Sequence, residues 1–290
     1  MKYAFYLGCT VPIRTPNYEM SARRVAEKAG IELVDIIQFT CCGFPIKAVS
    51  VNTVMVMAAY NLALAEEMAL DICTLCSACT SVLTETVHKL NNDEHLKKKI
   101  NKQLEKIGKR YEGKVKVKHF ARILYEDIGI EKLKKLVSKP LDELTFTAHY
   151  GCHYIKPSEI YDNFDNPEKP VSIDRMIEVT GAQAVDYDEK NLCCGGGILG
   201  IDESVALKMT SQKLENAKDA DAMVLICPFC SVMYEANQKR VNKLFSSEIN
   251  LPVLFLPQIL GLSMGIPETE LGFKFNKVKT KNLLQRLTRG

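Results

Sequence analysis

The chain has 290 residues, 47% of them hydrophobic and 25% charged, with a formal net charge of only +3. That balance suits a globular protein of one or two domains with a substantial core. No apolar run approaches the roughly 18 residues of a membrane span, and the opening Met1-Lys2-Tyr3-Ala4-Phe5-Tyr6-Leu7 is too short for a signal peptide. The expected location is therefore the cytoplasm, where eleven cysteines point to metal or redox chemistry rather than to structural disulfides.

In chain order, residues 2–7 predict a strand that stops at Gly8-Cys9, and residues 18–30 a helix ended by Gly30. A β-branched strand over 31–37 leads to Cys41-Cys42. A helix over 54–68, a strand over 70–75, a helix over 80–90, a strand over 115–120 and a helix over 121–128 follow. Lysines at 97–99, 102, 106, 109, 114, 116 and 118 crowd one region. With Glu94, Glu105 and Glu112 interleaved and Ile100, Leu104 and Ile107 at helical spacing, they read as the solvated face of a surface helix. No nucleic-acid reader motif accompanies them, so no nucleic-acid partner is expected.

The second half repeats this order. Residues 145–150, 222–226 and 253–256 predict strands, residues 205–217, 232–244 and 258–262 helices, and the sequence over 177–186 mirrors that over 26–35. An internal duplication follows, with residues 1–139 and 140–290 as the two domains and the lysine-rich stretch an insertion in the first. Alternating strands and helices predict an α/β fold: two tandem domains, each a small parallel sheet with helices on both faces, related by pseudo-twofold symmetry.

The cysteines repeat too. Cys9, the pair in Thr40-Cys41-Cys42-Gly43-Phe44-Pro45, and Cys76-x-x-Cys79 have their counterparts in Cys152, the pair in Leu192-Cys193-Cys194-Gly195-Gly196-Gly197, and Cys227-x-x-Cys230. In each half the cysteines follow three different strands, so they should collect at the carboxyl edge of a parallel sheet. Cys73 falls inside a predicted strand and reads as a buried apolar thiol.

A structural zinc ion needs four ligands and leaves one thiol of each five spare. Adjacent cysteines suit a polynuclear centre better, because they can bind neighbouring irons of an iron-sulfur cluster. The glycines after each pair would let backbone N–H groups approach sulfur; a tight strand-to-helix turn is the plainer reading of Gly195-Gly196-Gly197. His153, beside Cys152, is the candidate proton donor nearest in sequence, with a packing role as the alternative. Lys47 and Lys156 stand in related places after motif cysteines and are candidates for holding anions, or are exposed loop lysines.

Two copies of a cysteine, a Cys-Cys-Gly and a C-x-x-C resemble the cysteine-rich CCG domain. A chain of two such domains resembles the B subunits of the heterodisulfide reductases of methanogenic archaea. The resemblance implies two noncubane [4Fe-4S] clusters, one on Cys9, Cys41, Cys42, Cys76 and Cys79, the other on Cys152, Cys193, Cys194, Cys227 and Cys230. It also implies an oxidoreductase that reduces the coenzyme M-coenzyme B heterodisulfide to two thiols in methanogenesis. The implied partners are the small C subunit with its cubane clusters and the flavin-containing A subunit, supplied by a hydrogenase or formate dehydrogenase. One departure is Phe44-Pro45 in the first half against Gly196-Gly197 in the second, so the two environments should differ. Alternatives are an electron-transfer subunit of lactate, glycolate or glycerol-3-phosphate oxidation or of thiol:fumarate reductase, and a non-catalytic zinc-binding scaffold.

Overall fold

The computed structural model describes residues 1–286. The first half runs β1 (Lys2–Tyr6), α1 (Val11–Arg14), α2 (Pro16–Ala29), β2 (Glu32–Asp35), α3 (Val51–Glu67), β3 (Asp71–Thr74), α4 (Ser77–Asn92), α5 (Glu94–Leu104), β4 (Val117–His119), α6 (Phe120–Arg122) and α7 (Ile130–Leu136). The second runs β5 (Thr145–His149), α8 (Ser172–Val179), β6 (Gln183–Ala184), α9 (Glu203–Ala217), β7 (Ala222–Leu225), α10 (Pro228–Ser231), α11 (Gln238–Phe245), β8 (Val253–Phe255), α12 (Leu256–Ser263) and α13 (Lys281–Arg286). Each half builds one four-stranded sheet, ordered β2-β1-β3-β4 and β6-β5-β7-β8, with every pairing parallel. The fold is thus α/β with one arrangement used twice.

Local sequence explains the matching elements. Pro16 opens α2, whose buried face carries Tyr18, Ala22, Val25, Ala26 and Ala29, and Gly30 closes it at φ 76°. The long helix of each half starts on an N-cap side chain: Ser50 accepts from the Thr53 N–H before α3, and Asp202 accepts from the Val205 N–H before α9. β7 is buried along its whole length, as a central parallel strand covered on both faces must be.

The structure differs from the sequence expectation at several elements, among them the helix expected over 121–128, which is α6 followed by a π turn at Ile123–Ile128. The lysine-rich helix is α5, which buries Ile100 and Leu104, but Ile107 is 60% exposed because a 3-10 turn and Gly108 at φ 68° end the helix first. The single helix expected over 232–244 is α10, a π turn at Val232–Ala236 and α11. β6 has two residues where β2 has four; the loop after Cys152, closed by the 3-10 turn Ser158–Tyr161, is the longer of the two connections.

The halves meet where the strands end. α2 packs against α12, and the Tyr18 ring stacks on Phe255 with centroids 4.0 Å apart. The Tyr18 hydroxyl donates to the Ile226 carbonyl at 2.8 Å. His119, whose Nδ1 accepts from the Ala121 N–H, presents Nε2 to that same carbonyl at 2.9 Å. Two first-half side chains therefore fix the residue just before Cys227.

Candidate metal centre

Four of the cysteine positions follow strand ends directly: Cys9 after β1, Cys76 after β3, Cys152 after β5 and Cys227 after β7. The Cys-Cys pairs lie on the loops between β2 and α3 and between β6 and α9. These loops are pinned from behind. The Tyr6 hydroxyl donates to the Thr40 carbonyl at 2.5 Å, and Asn61 Oδ1 accepts from the Thr40 N–H at 2.8 Å. In the second half the Thr210 hydroxyl donates to the Cys194 carbonyl at 3.1 Å.

Gly43 and Gly195 turn each loop at φ 90° and 86°, a conformation that disfavours any side chain. The turn aims backbone N–H groups at sulfur: Gly43 N lies 3.4 Å from Cys41 Sγ, Gly195 N 3.4 Å from Cys193 Sγ, and Gly196 N 3.4 Å from Cys194 Sγ. The glycine before each first cysteine allows close approach. A Cβ at Gly8 would lie 3.0 Å from Cys79 Sγ, and one at Gly151 3.7 Å from Cys230 Sγ.

The thiols form a string that crosses between the halves. Cys41 adjoins Cys42, Cys42 adjoins Cys79, and Cys79 adjoins Cys76. Cys76 adjoins Cys227 of the other half, and the string continues through Cys230, Cys194 and Cys193 to Cys152. Cys9 stands at the open end, exposed, and acts on Cys41 by charge. The two Cys-Cys pairs thus do not face each other directly; Cys79, Cys76, Cys227 and Cys230 lie between them. Cys73, fully buried in β3, belongs to neither set, and burial alone pushes its thiol up.

Neighbouring thiols shift one another along the string. Donation from Cys41, then Cys79, pulls Cys42 down to about 4, and donation from Cys152 and Cys194 pulls Cys193 down to about 2. Cys230 and Cys76 likewise hold Cys227 well below the ordinary thiol value. The neighbours that keep the protons, Cys41 and Cys152 among them, are pushed up. Full ionisation of five crowded thiols would need a polyvalent cationic centre to offset the repulsion. Among the described residues no three Cys, His, Asp or Glu side chains converge as ligands of one metal ion. A donor set of ten thiols, adjacent in pairs and met by backbone N–H groups, fits a polynuclear thiolate-bound centre.

The surroundings of the two sets differ. A small cavity of about 50 Å³ is bounded by Cys152, His153, Cys193, Cys194, Cys227 and Cys230, and by Phe44, Ser77 and Ala78 from the first half. His153 Nδ1 lies 3.0 Å from Cys152 Sγ, and its ring meets Phe44 edge to face at 5.1 Å. Burial pulls His153 below its ordinary value. At the other end, Cys9, Thr10 and Ile13 face Gly196 and Phe229 across a cavity of about 260 Å³. Each half's first loop therefore faces the other half's glycine-containing loop. A larger cavity, about 830 Å³, lies at the opposite ends of β7 and β8 and is lined by no cysteine.

Lys47 pairs with Glu85 at 2.8 Å and also acts on His153 by charge, and Lys156 pairs with Glu168 at 3.1 Å. Two features escaped the sequence reading, the Cys76–Cys227 contact and a lysine buried behind the second pair, Lys213. Its place opposite Asn61 in the duplicated helices was the available signal.

Fold and site together define a duplicated α/β protein with cysteines at its strand ends. The sequence profile of the CCG family, a cysteine-rich domain, matches residues 3–84 and 146–235. The chain is 36% identical to the B subunit of the ferredoxin/F420H2-dependent CoB-CoM heterodisulfide reductase of Methanosarcina acetivorans, over 99% of this chain and 97% of that one. It is 38% identical to a protein of Archaeoglobus profundus described as like the heterodisulfide reductase B subunit, over 94% of each. It is 33% identical to the 8-methylmenaquinol:fumarate reductase membrane anchor subunit of Wolinella succinogenes, over 97% of this chain and 99% of that one. A crystal structure of a hypothetical protein from Helicobacter pylori has the same fold, with a TM-score of 0.78 at 19% identity; it aligns with 96% of this chain, which spans 52% of that one. The chain belongs to the cysteine-rich CCG family, in company with heterodisulfide reductase B subunits. No helix among the described residues is long and apolar enough to cross a membrane.

Proposed function

We propose that the chain is the disulfide-reducing subunit of a heterodisulfide reductase, acting on the coenzyme M-coenzyme B heterodisulfide. The observation that carries this reading is the electrostatic coupling of Cys76 to Cys227, which links the two thiol sets across the halves. Cys9, Cys41, Cys42, Cys76 and Cys79 hold one noncubane four-iron cluster and Cys152, Cys193, Cys194, Cys227 and Cys230 the other, within domains that join near residue 139. When bound, the two clusters supply one electron each and iron sites able to take up a thiolate.

The overall reaction breaks one sulfur–sulfur bond, consumes two electrons and two protons, and yields two thiols. This chain's residues supply the setting. Phe44 and Phe229, with ring centroids 5.9 Å apart, give the cavity beside Cys152 an apolar wall. His153 lines the same cavity and is positioned to hold a proton for a product thiolate. Electrons arrive from a separate small iron-sulfur protein, the C subunit, itself served by the flavin-containing A subunit and a hydrogenase or formate dehydrogenase.

Iron analysis should find close to eight irons per chain, and four or fewer would contradict the two-cluster assignment. With a reduced viologen as donor, the iron-loaded chain should release two thiols per heterodisulfide consumed. Unchanged turnover in His153→Ala would remove that histidine from the mechanism. The fumarate reductase relative favours a second reading, an electron-transfer role without disulfide chemistry. That reading predicts cluster reduction with no thiol release.

A further inference from the structure

The duplicated loops carry an unequal pair of buried side chains. A Cβ at Gly43 would meet Val54 Cα at 3.2 Å, and one at Gly195 would meet Ala206 Cα at 3.1 Å. Each cysteine loop therefore rests on the same turn of its long helix, which makes Val54 and Ala206 equivalent. Seven residues on, Asn61 and Lys213 are equivalent too. Both are buried, at 0% and 1% exposure, and both tether the chain just ahead of a Cys-Cys pair. Asn61 accepts from the Thr40 N–H, while Lys213 Nζ donates to the Leu192 carbonyl at 2.9 Å and to the Glu189 carbonyl. A neutral amide does the tethering in the first half, and an ammonium does it in the second.

Burying an ammonium without a hydrogen-bonded carboxylate is costly unless negative charge lies near. Lys213 Nζ donates to the Leu192 carbonyl, one residue before Cys193, and the groups acting on it by charge include Cys230, Cys194 and Cys193 of the second set, with Glu189. Burial pulls its pKa down to about 8, which leaves the ammonium charged at neutral pH.

We infer that Lys213 is a positioning residue whose fixed positive charge makes the second thiol set the stronger electron acceptor of the two. The inference rests on the iron-sulfur reading above. Reduction adds one electron to a site and breaks no bond, so a neighbouring cation favours the product. The first site has Asn61 at the corresponding place and gains no such help. A one-electron donor protein thus delivers to a pair of unequal acceptors, the preferred one being the set that borders the cavity with His153 and Phe44.

The test is an EPR-monitored redox titration of the iron-loaded chain with dithionite, on wild type, Lys213→Gln and Lys213→Arg, after iron has been counted. Gln keeps the N–H donors and removes the charge; Arg keeps the charge. The expected result for Lys213→Gln is a fall of about tenfold or more in the reduction equilibrium constant of the second site, about 59 mV for one electron. The first site should stay in place, and Lys213→Arg should follow wild type. A second site unmoved in Lys213→Gln, or both sites moved equally, overturns the inference and leaves Lys213 a plain tether. If Lys213→Gln fails to hold iron at the second site, two single-site proteins decide. Cys42→Ser, which keeps the second site, must be reduced at higher potential than Cys194→Ser, which keeps the first, and an equal or lower potential overturns the inference. A wild type without iron-sulfur signals fails the reading above instead.

Discussion

Single residues set the geometry of each thiol set, and a comparison of two glycines shows how. At Gly195 an added Cβ would lie 2.7 Å from the Ala206 carbonyl oxygen, on a backbone at φ 86°; at Gly197 it would meet nothing within 4 Å. Gly195→Ala should therefore cost about 1–3 kcal/mol of strain and lower the iron held, while Gly197→Ala stays within about 0.5 kcal/mol of wild type. Thermal unfolding with iron analysis distinguishes them, and equal behaviour would contradict the tight-turn account. Cys73 offers the complementary case. Cys73→Ala should destabilise by about 0.5–3 kcal/mol with no iron lost, whereas Cys76→Ser loses iron. The burial of Cys73 was legible in the sequence because aligning the repeats puts it inside a strand. The role of Lys213 was not, because a lysine in an amphipathic helix reads as a solvated side chain until its burial is seen.

At the scale of elements, one carbonyl at the join between the halves is shared by two donors. Ile226 accepts from both Tyr18 and His119, so removing one donor leaves the other. Tyr18→Phe and His119→Phe should each cost about 1 kcal/mol or a little more, and the double variant more than their sum, since only then is a buried carbonyl left without a partner. Urea unfolding measures this, and simple additivity would count against the shared acceptor. The cysteine loops have no strand partners of their own, so chelating the metal should lower their protection first. Hydrogen exchange after iron removal is expected to rise over residues 39–47 and 190–199 before it rises in β1, β3, β5 or β7. The alternation of strands and helices was legible from periodicity and stop signals. The helix breaks were less so: the lysine-rich helix stops at Leu104, and π turns interrupt the runs after Arg122 and Ser231. Burial demands there override a periodicity that looks continuous.

At the scale of the whole molecule, duplication places two like sites near each other, and packing decides how near. Repetition in the sequence predicts two sets of five cysteines but is silent on their relative placement. That placement comes from α2 against α12 and from Tyr18 on Phe255, which seat Cys227 beside Cys76. Contacts between halves such as His119 with Ile226 and Tyr18 with Phe255 join residues more than 100 positions apart, and no local pattern encodes them. Two clusters held on thiol sets whose C-x-x-C members Cys76 and Cys227 act on each other across the join would work as one unit. EPR of the fully reduced, iron-loaded chain, compared with the added spectra of Cys42→Ser and Cys194→Ser, tests this most directly. The account predicts splitting or broadening from magnetic interaction between the sites in wild type, and a wild-type spectrum equal to the sum of the two single-site spectra would contradict it.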